Sequence, residues 1–140
     1  MRMMLVSALT FISLAGSVPL AAQTTPEEAN ALQAETDWLH FLDAGNYPEA
    51  WKTAAKVMRN SAPEPAFAKS VNDARAPLGT LGTRTLSHVQ SANKLPGAPD
   101  GHYVIAQYST HFANKAEGVE TLIASQEADG SWHVIGYFIR

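Results

Sequence analysis

The side chains with the most chemical promise in this 140-residue chain are three arginines, a glutamate and a tyrosine. Arg75, Arg84 and Arg140 each lie beside apolar sequence, and Glu120 is an acid placed to pair with one of them. An arginine turned inward can grip a carboxylate or phosphate with the fork of its guanidinium. It can equally close a salt bridge that ties the third helix to a sheet, and the sequence leaves both readings open. Arg75, Arg84, Glu120 and Tyr137 are therefore the candidate ligand-binding residues. No catalytic residue is assigned.

The remaining chemistry is weaker. Asp37, His40 and Asp43 are spaced by threes on a helix, and carboxylate plus imidazole suits a divalent ion. Six residues turn a helix by about 600°, however, so the three converge poorly. They read as a solvated face, and no metal site is assigned. His111 and His133 fall on strands, where a histidine between apolar alternates could serve as a base in a pocket. Neither has an acid at a diagnostic spacing. His88 and His102 flank a long loop and read as exposed. There is no cysteine nucleophile, no Gly-x-Ser-x-Gly turn, and the glycines around Gly79 and Gly82 do not form a phosphate loop. No cofactor is expected.

Composition sets the setting for these groups. Residues 1–22 run from Met1-Arg2 through an apolar stretch to Ala21-Ala22, with no acid. That is the layout of a secretory signal peptide, expected to be cut after Ala22. The apolar run is short and diluted by Ser7, Thr10 and Ser13, whereas a spanning helix needs about 20 apolar residues. No membrane anchor is expected after cleavage, and the location is periplasmic or secreted. The remaining 118 residues form one expected domain, 23–140, with 9 basic and 13 acidic residues. The basic residues are scattered, which argues against a nucleic-acid surface.

Three helices are expected first. Thr25 and Glu28 form a capping box around Pro26, and Ala44-Gly45 ends the helix. Its inward stripe reads as Ala29, Leu32, Thr36, Leu39 and Asp43, widened by Trp38 and Leu42. Asn46 and Glu49 start a second helix that runs to Met58 and turns Ala50, Trp51, Ala54, Val57 and Met58 inward. The third covers about Glu64 to Ala76, with Phe67, Ala68 and Val71 facing in and Pro77 ending it.

Four strands follow: Leu81–Ser91, His102–Phe112, Val119–Glu127 and Ser131–Ile139. Asp129-Gly130 signals a two-residue hairpin. The register it implies places Thr121 opposite Phe138, Ile123 opposite Gly136 and Glu127 opposite Trp132. Alternation then puts Trp132, Val134 and Phe138 on one face with Ile123. Both faces come out substantially apolar, and helices can cover only one. The other is expected to meet a second copy of the chain, a homodimer through the sheet.

A set of segments now stands together: Trp38-Leu39, Asp43-Ala44-Gly45-Asn46-Tyr47 and Trp51; Arg75-Ala76-Pro77-Leu78-Gly79; Leu95 through Tyr103; Phe112-Ala113-Asn114-Lys115; and Asp129-Gly130-Ser131-Trp132 with Gly136-Tyr137-Phe138-Ile139. Together they resemble an uncharacterised family of exported bacterial proteins, domain of unknown function 4019, from about residue 27 to the end. The resemblance implies a bacterial envelope or secreted protein. It supplies no activity and no site residues. Helices before a curved antiparallel sheet also resemble the cystatin-like and nuclear-transport-factor-like cone folds.

The expected architecture is α+β, three helices on one face of a four-stranded antiparallel meander. The expected function is a non-catalytic binding or interaction domain with a protein or small-molecule partner. The alternative is a cofactor-free isomerase or hydrolase with a pocket between helices and sheet.

Overall fold

The computed structural model describes residues 24–140; the expected signal segment lies outside them. Thr25 Oγ1 accepts from the Glu28 N–H at 3.1 Å, and Glu28 Oε2 accepts from the Thr25 N–H at 3.0 Å. The capping box thus closes as expected, and α1 (Pro26–Asp43) begins there. Its inward face differs from the expected stripe. Ala31, Glu35, Trp38, Leu39 and Leu42 are buried, while Ala29 and Thr36 are exposed. Trp38 sets this phase, because its indole N–H donates to the Ala50 carbonyl at 2.8 Å inside the core. A stripe centred on Trp38 carries Ala31 and Glu35 inward with it.

Asn46 caps α2 (Tyr47–Thr53). The helix expected to continue to Met58 breaks at Ala54-Ala55, both extended, with ψ 160° and 150°. The break lets the Ala55 N–H donate to the Val134 carbonyl at 2.9 Å. A carbonyl on the sheet edge is thereby satisfied by backbone from the helical layer. The short α3 (Lys56–Ser61) restarts beyond it, and Val57 ends 62% exposed instead of inward. Among the described residues, four helices therefore stand where three were expected. The last, α4 (Glu64–Arg75), buries Phe67 and Val71 as its spacing implies, and a single 3-10 turn, Ala76–Leu78, follows it.

The sheet is the expected antiparallel meander in the order β1-β2-β3-β4: β1 (Leu81–Ala92), β2 (Tyr103–Phe112), β3 (Lys115–Gln126) and β4 (Trp132–Ile139). Phe112 pairs Lys115, so β2 turns into β3 through Ala113-Asn114 alone, a tighter reversal than the expected Asn114 to Gly118. The last hairpin holds the main correction. Thr121 pairs Phe138 and Ile123 pairs Gly136, as expected, but Ala124 pairs Val134 and Gln126 pairs Trp132. Ile135 is bulged out between them. The turn carries the compensating residue: Glu127 bonds Ser131 around a three-residue loop with Gly130 at φ 86°. One extra residue flips alternation across the bulge. Trp132 and Val134 face the helices, Tyr137 does too, and Phe138 faces away at 60% exposure. Trp132 and Phe138 therefore lie on opposite faces, against expectation.

The core fills the space between α1 and the inner sheet face. Trp38 meets Phe67 and Tyr137 edge-on, with ring centroids 6.2 and 5.4 Å away. Leu39, Leu42, Ala106, Leu122 and Val134 complete it. Among the described residues, no helix is long and apolar enough to cross a membrane.

The Ala55–Val134 bond is testable alone, because Ala55 has φ −60° and an extended predecessor, both compatible with proline. Ala55→Pro removes the donor and strands the Val134 carbonyl. It should cost about 1–3 kcal/mol in urea unfolding; unchanged stability would mean the bond contributes nothing.

Candidate functional site

All four candidate residues converge where the end of α1 meets the sheet. Alternation on β1, β2 and β3 turns Arg84, Thr110 and Glu120 to the inner face, and the bulge at Ile135 brings Tyr137 there as well. Glu120 is fully buried and accepts from Arg84 Nε at 2.7 Å, Arg84 Nη2 at 3.2 Å, Thr110 Oγ1 at 2.7 Å and the Tyr137 hydroxyl. Arg84 also reaches Asp43, with Nη1 2.7 Å from Oδ2 and Nη2 3.0 Å from Oδ1. Arg75, at the end of α4, donates from Nη2 to Asp43 Oδ1 at 2.7 Å, and its guanidinium sits 5.5 Å from the centre of the Phe112 ring.

The electrostatics follow from this packing. Burial pushes the Asp43 carboxyl up, but the bonds and charges of Arg84 and Arg75 outweigh it, leaving the group below the ordinary carboxylate range. Burial works against charge on Arg84 too, and its bonds to Asp43 and Glu120 override that, so its proton is held more tightly than usual. Burial first, then the Glu120 carboxylate, raises the Tyr137 hydroxyl well above its ordinary value. Tyr137 stays a neutral donor. Every nitrogen of Arg84 is bonded within the protein, so it presents no free fork. Arg140 stands apart from the cluster: its backbone pairs with Val119 in both directions.

By spacing, Asp43 belongs with Asp37 and His40, but the three do not meet. Asp43 is held by arginines, while Asp37 accepts from Gln33 Nε2 at 2.8 Å. His111 and His88 are exposed on strands. His102 faces Glu27 at 3.2 Å on the surface. His133 is more constrained. Its Nδ1 lies 2.9 Å from the Thr53 carbonyl, which can only accept, so Nδ1 carries a proton. Its Nε2 lies 2.8 Å from Ser131 Oγ.

Beside His133 runs a groove of about 660 Å³ between α1, α2 and β4. Trp38, Phe41, Trp132 and Val134 give it apolar lining, and the exposed Asp37, His40 and Lys52 line it too. Periodicity alone gave no sign of it, because it exists only where the break at Ala54-Ala55 seats α2 against the β4 edge.

Sequence reasoning also missed Glu35. It is completely buried on α1, with one oxygen 3.5 Å from the Tyr108 hydroxyl and the other, Oε1, without a partner among the described residues. Burial raises its pKa from 4.5 to about 8, and the Tyr108 bond offsets this only in part. Burial and then the Glu35 charge push Tyr108 up to about 12. The signal for Glu35 lay in its i, i+4 relation to Ala31 and Leu39; the expected stripe held Leu39 but took Leu32 and Thr36 in place of Ala31 and Glu35.

Helices packed on one face of a curved antiparallel meander place the chain in the cystatin-like and nuclear-transport-factor-like fold class. The described structure superposes on a putative ketosteroid isomerase from Shewanella frigidimarina NCIMB 400 with a TM-score of 0.54, at 17% identity, covering 82% of this chain and 98% of that one. Aln2 from a Streptomyces species superposes with a TM-score of 0.52, at 13% identity, covering 84% and 92%. Identities this low establish a shared fold alone. The chain belongs to the family described as Protein of unknown function (DUF4019), which matches residues 34–137. No curated protein matches it.

Glu35 yields a pH prediction. The folded protein holds this proton more tightly than the unfolded chain, so its contribution is most favourable at low pH and falls as pH climbs from about 4.5 to about 8. Relative to Glu35→Gln, the wild type should lose on the order of 1 kcal/mol per pH unit across that window. Parallel stability profiles of the two proteins would refute the assignment.

Proposed function

We propose that this protein is a non-catalytic small-molecule-binding domain whose ligand lies in the groove between α1, α2 and β4. The groove itself carries the reading. At about 660 Å³ it falls in the range of small-ligand sites, roughly 300–1,000 Å³, and its aromatic and apolar lining with a few polar groups matches their usual make-up. The ionic cluster supports the same reading from the other side. It fills the inner end of the helix–sheet interface with groups that bond one another, leaving Arg84 and Glu120 no free valence for a reaction.

A cofactor-free isomerase or hydrolase is the second reading, and Glu35 favours it. A neutral buried acid beside Tyr108 is a group general acid–base chemistry can use. Glu35 does not line the groove, so binding takes precedence. Export through the Met1–Ala22 segment belongs to the proposal, as does a second copy over the outer sheet face. There Phe138 is 60% exposed next to Ile123. Sedimentation should show wild-type dimers and monomeric Phe138→Asp; a wild-type monomer at high concentration removes the dimer.

The groove is tested with the uncharged dye N-phenyl-1-naphthylamine. Its emission should rise on titration with the protein. Ala34→Phe, which puts a ring into the groove, should weaken binding about ten-fold, a change of ~1.4 kcal/mol. Val57→Phe, outside the groove, should leave it unchanged. Equal binding by both variants contradicts the reading.

A further inference from the structure

Two buried arginines share Asp43, and they are not equally satisfied. Arg84 makes four hydrogen bonds that together use all three of its nitrogens. Arg75 makes one, from Nη2. Its side chain is only 10% exposed, and among the described residues Nη1 is buried with no acceptor. A guanidinium carries five N–H donors. Leaving a buried donor unpaired is costly, and more so when it is charged. Arg75 is also held in place, its guanidinium over the Phe112 ring and its Nη2 bonded to Asp43.

Next to Arg75 lies a cleft of about 520 Å³, distinct from the groove of the proposed function. It opens between the end of α1, the 3-10 turn after α4 and the start of β1. Among the described residues that line it, Arg75 is the one cation and Asp43 the one anion, and Thr80 and Tyr47 add hydroxyls. Both Asp43 oxygens are already bonded to the guanidinium groups of Arg75 and Arg84, which offset the carboxylate's charge.

We propose that this cleft is a second binding site, for an oxyanion presenting two oxygens, a carboxylate or a phosphate group, held by Arg75. The unused edge of a fixed guanidinium matches two such oxygens in a bidentate pair. Thr80, at the rim, donates a further hydrogen bond. The anion would accept from the part of the guanidinium that Asp43 leaves unbonded. A bare ammonium in the same place would not serve, because the fork and not the charge makes the fit.

The test is thermal unfolding in inorganic phosphate or acetate, each against sodium chloride at equal ionic strength. Salting effects act on every variant alike, so the readout is the difference between proteins. One of the two anions should raise the wild-type Tm by about 3 °C more than it raises that of Arg75→Lys. Thr80→Asp leaves Arg75 and Asp43 untouched and sets a negative charge at the rim; it should lose the same increment. In the unmodified protein, the Arg75 side-chain N–H resonance should move on titration with the effective anion. An identical response from the wild type and both variants, with that resonance unmoved, overturns the site.

Discussion

The structure depends on one guanidinium. Arg84 lies between two carboxylates that come from different layers, Glu120 on the sheet and Asp43 at the end of the first helix. Glu120 is wholly removed from water, and a carboxylate in that position is tolerated only when its lone pairs are filled. Thr110, Tyr137 and Arg84 fill them. Asp43 then brings in Arg75, and with it the end of α4. Two helices and all four strands are thus tied at one point, beside the cleft that Asp43 and Arg75 line.

Much of this was legible in the residues, and what was not has a physical cause. The capping box at Thr25, the buried Phe67 and Val71, and the four-strand meander follow from local rules that tertiary context did not override. Arg75, Arg84, Glu120 and Tyr137 were drawn together by type and position, although Tyr137 reaches the cluster only because Ile135 is bulged. That bulge leaves no trace in hydrophobic alternation, since Val134, the bulged Ile135, Tyr137 and Phe138 are all apolar. The same blindness hid the helix break. Ala54 and Ala55 are good helix formers, but both are buried and extended, and the Ala55 N–H meets the Val134 carbonyl, far along the chain. Glu35 was obscured for a third reason: a charged residue is assigned outward by default, and here burial has neutralised it.

The fold and the family do not settle chemistry between them. One fold can host many functions. In this chain part of the inner sheet face carries an ionic cluster, and a groove opens between α1, α2 and β4.

The most direct measurement is the unfolding free energy of Arg84→Met beside that of Arg84→Met/Glu120→Gln. If the guanidinium is the keystone, the single variant leaves Glu120 charged and uncompensated and loses about 3–5 kcal/mol, and the double variant recovers part of that loss. A single variant as stable as the wild type would show that helices and sheet hold together without it.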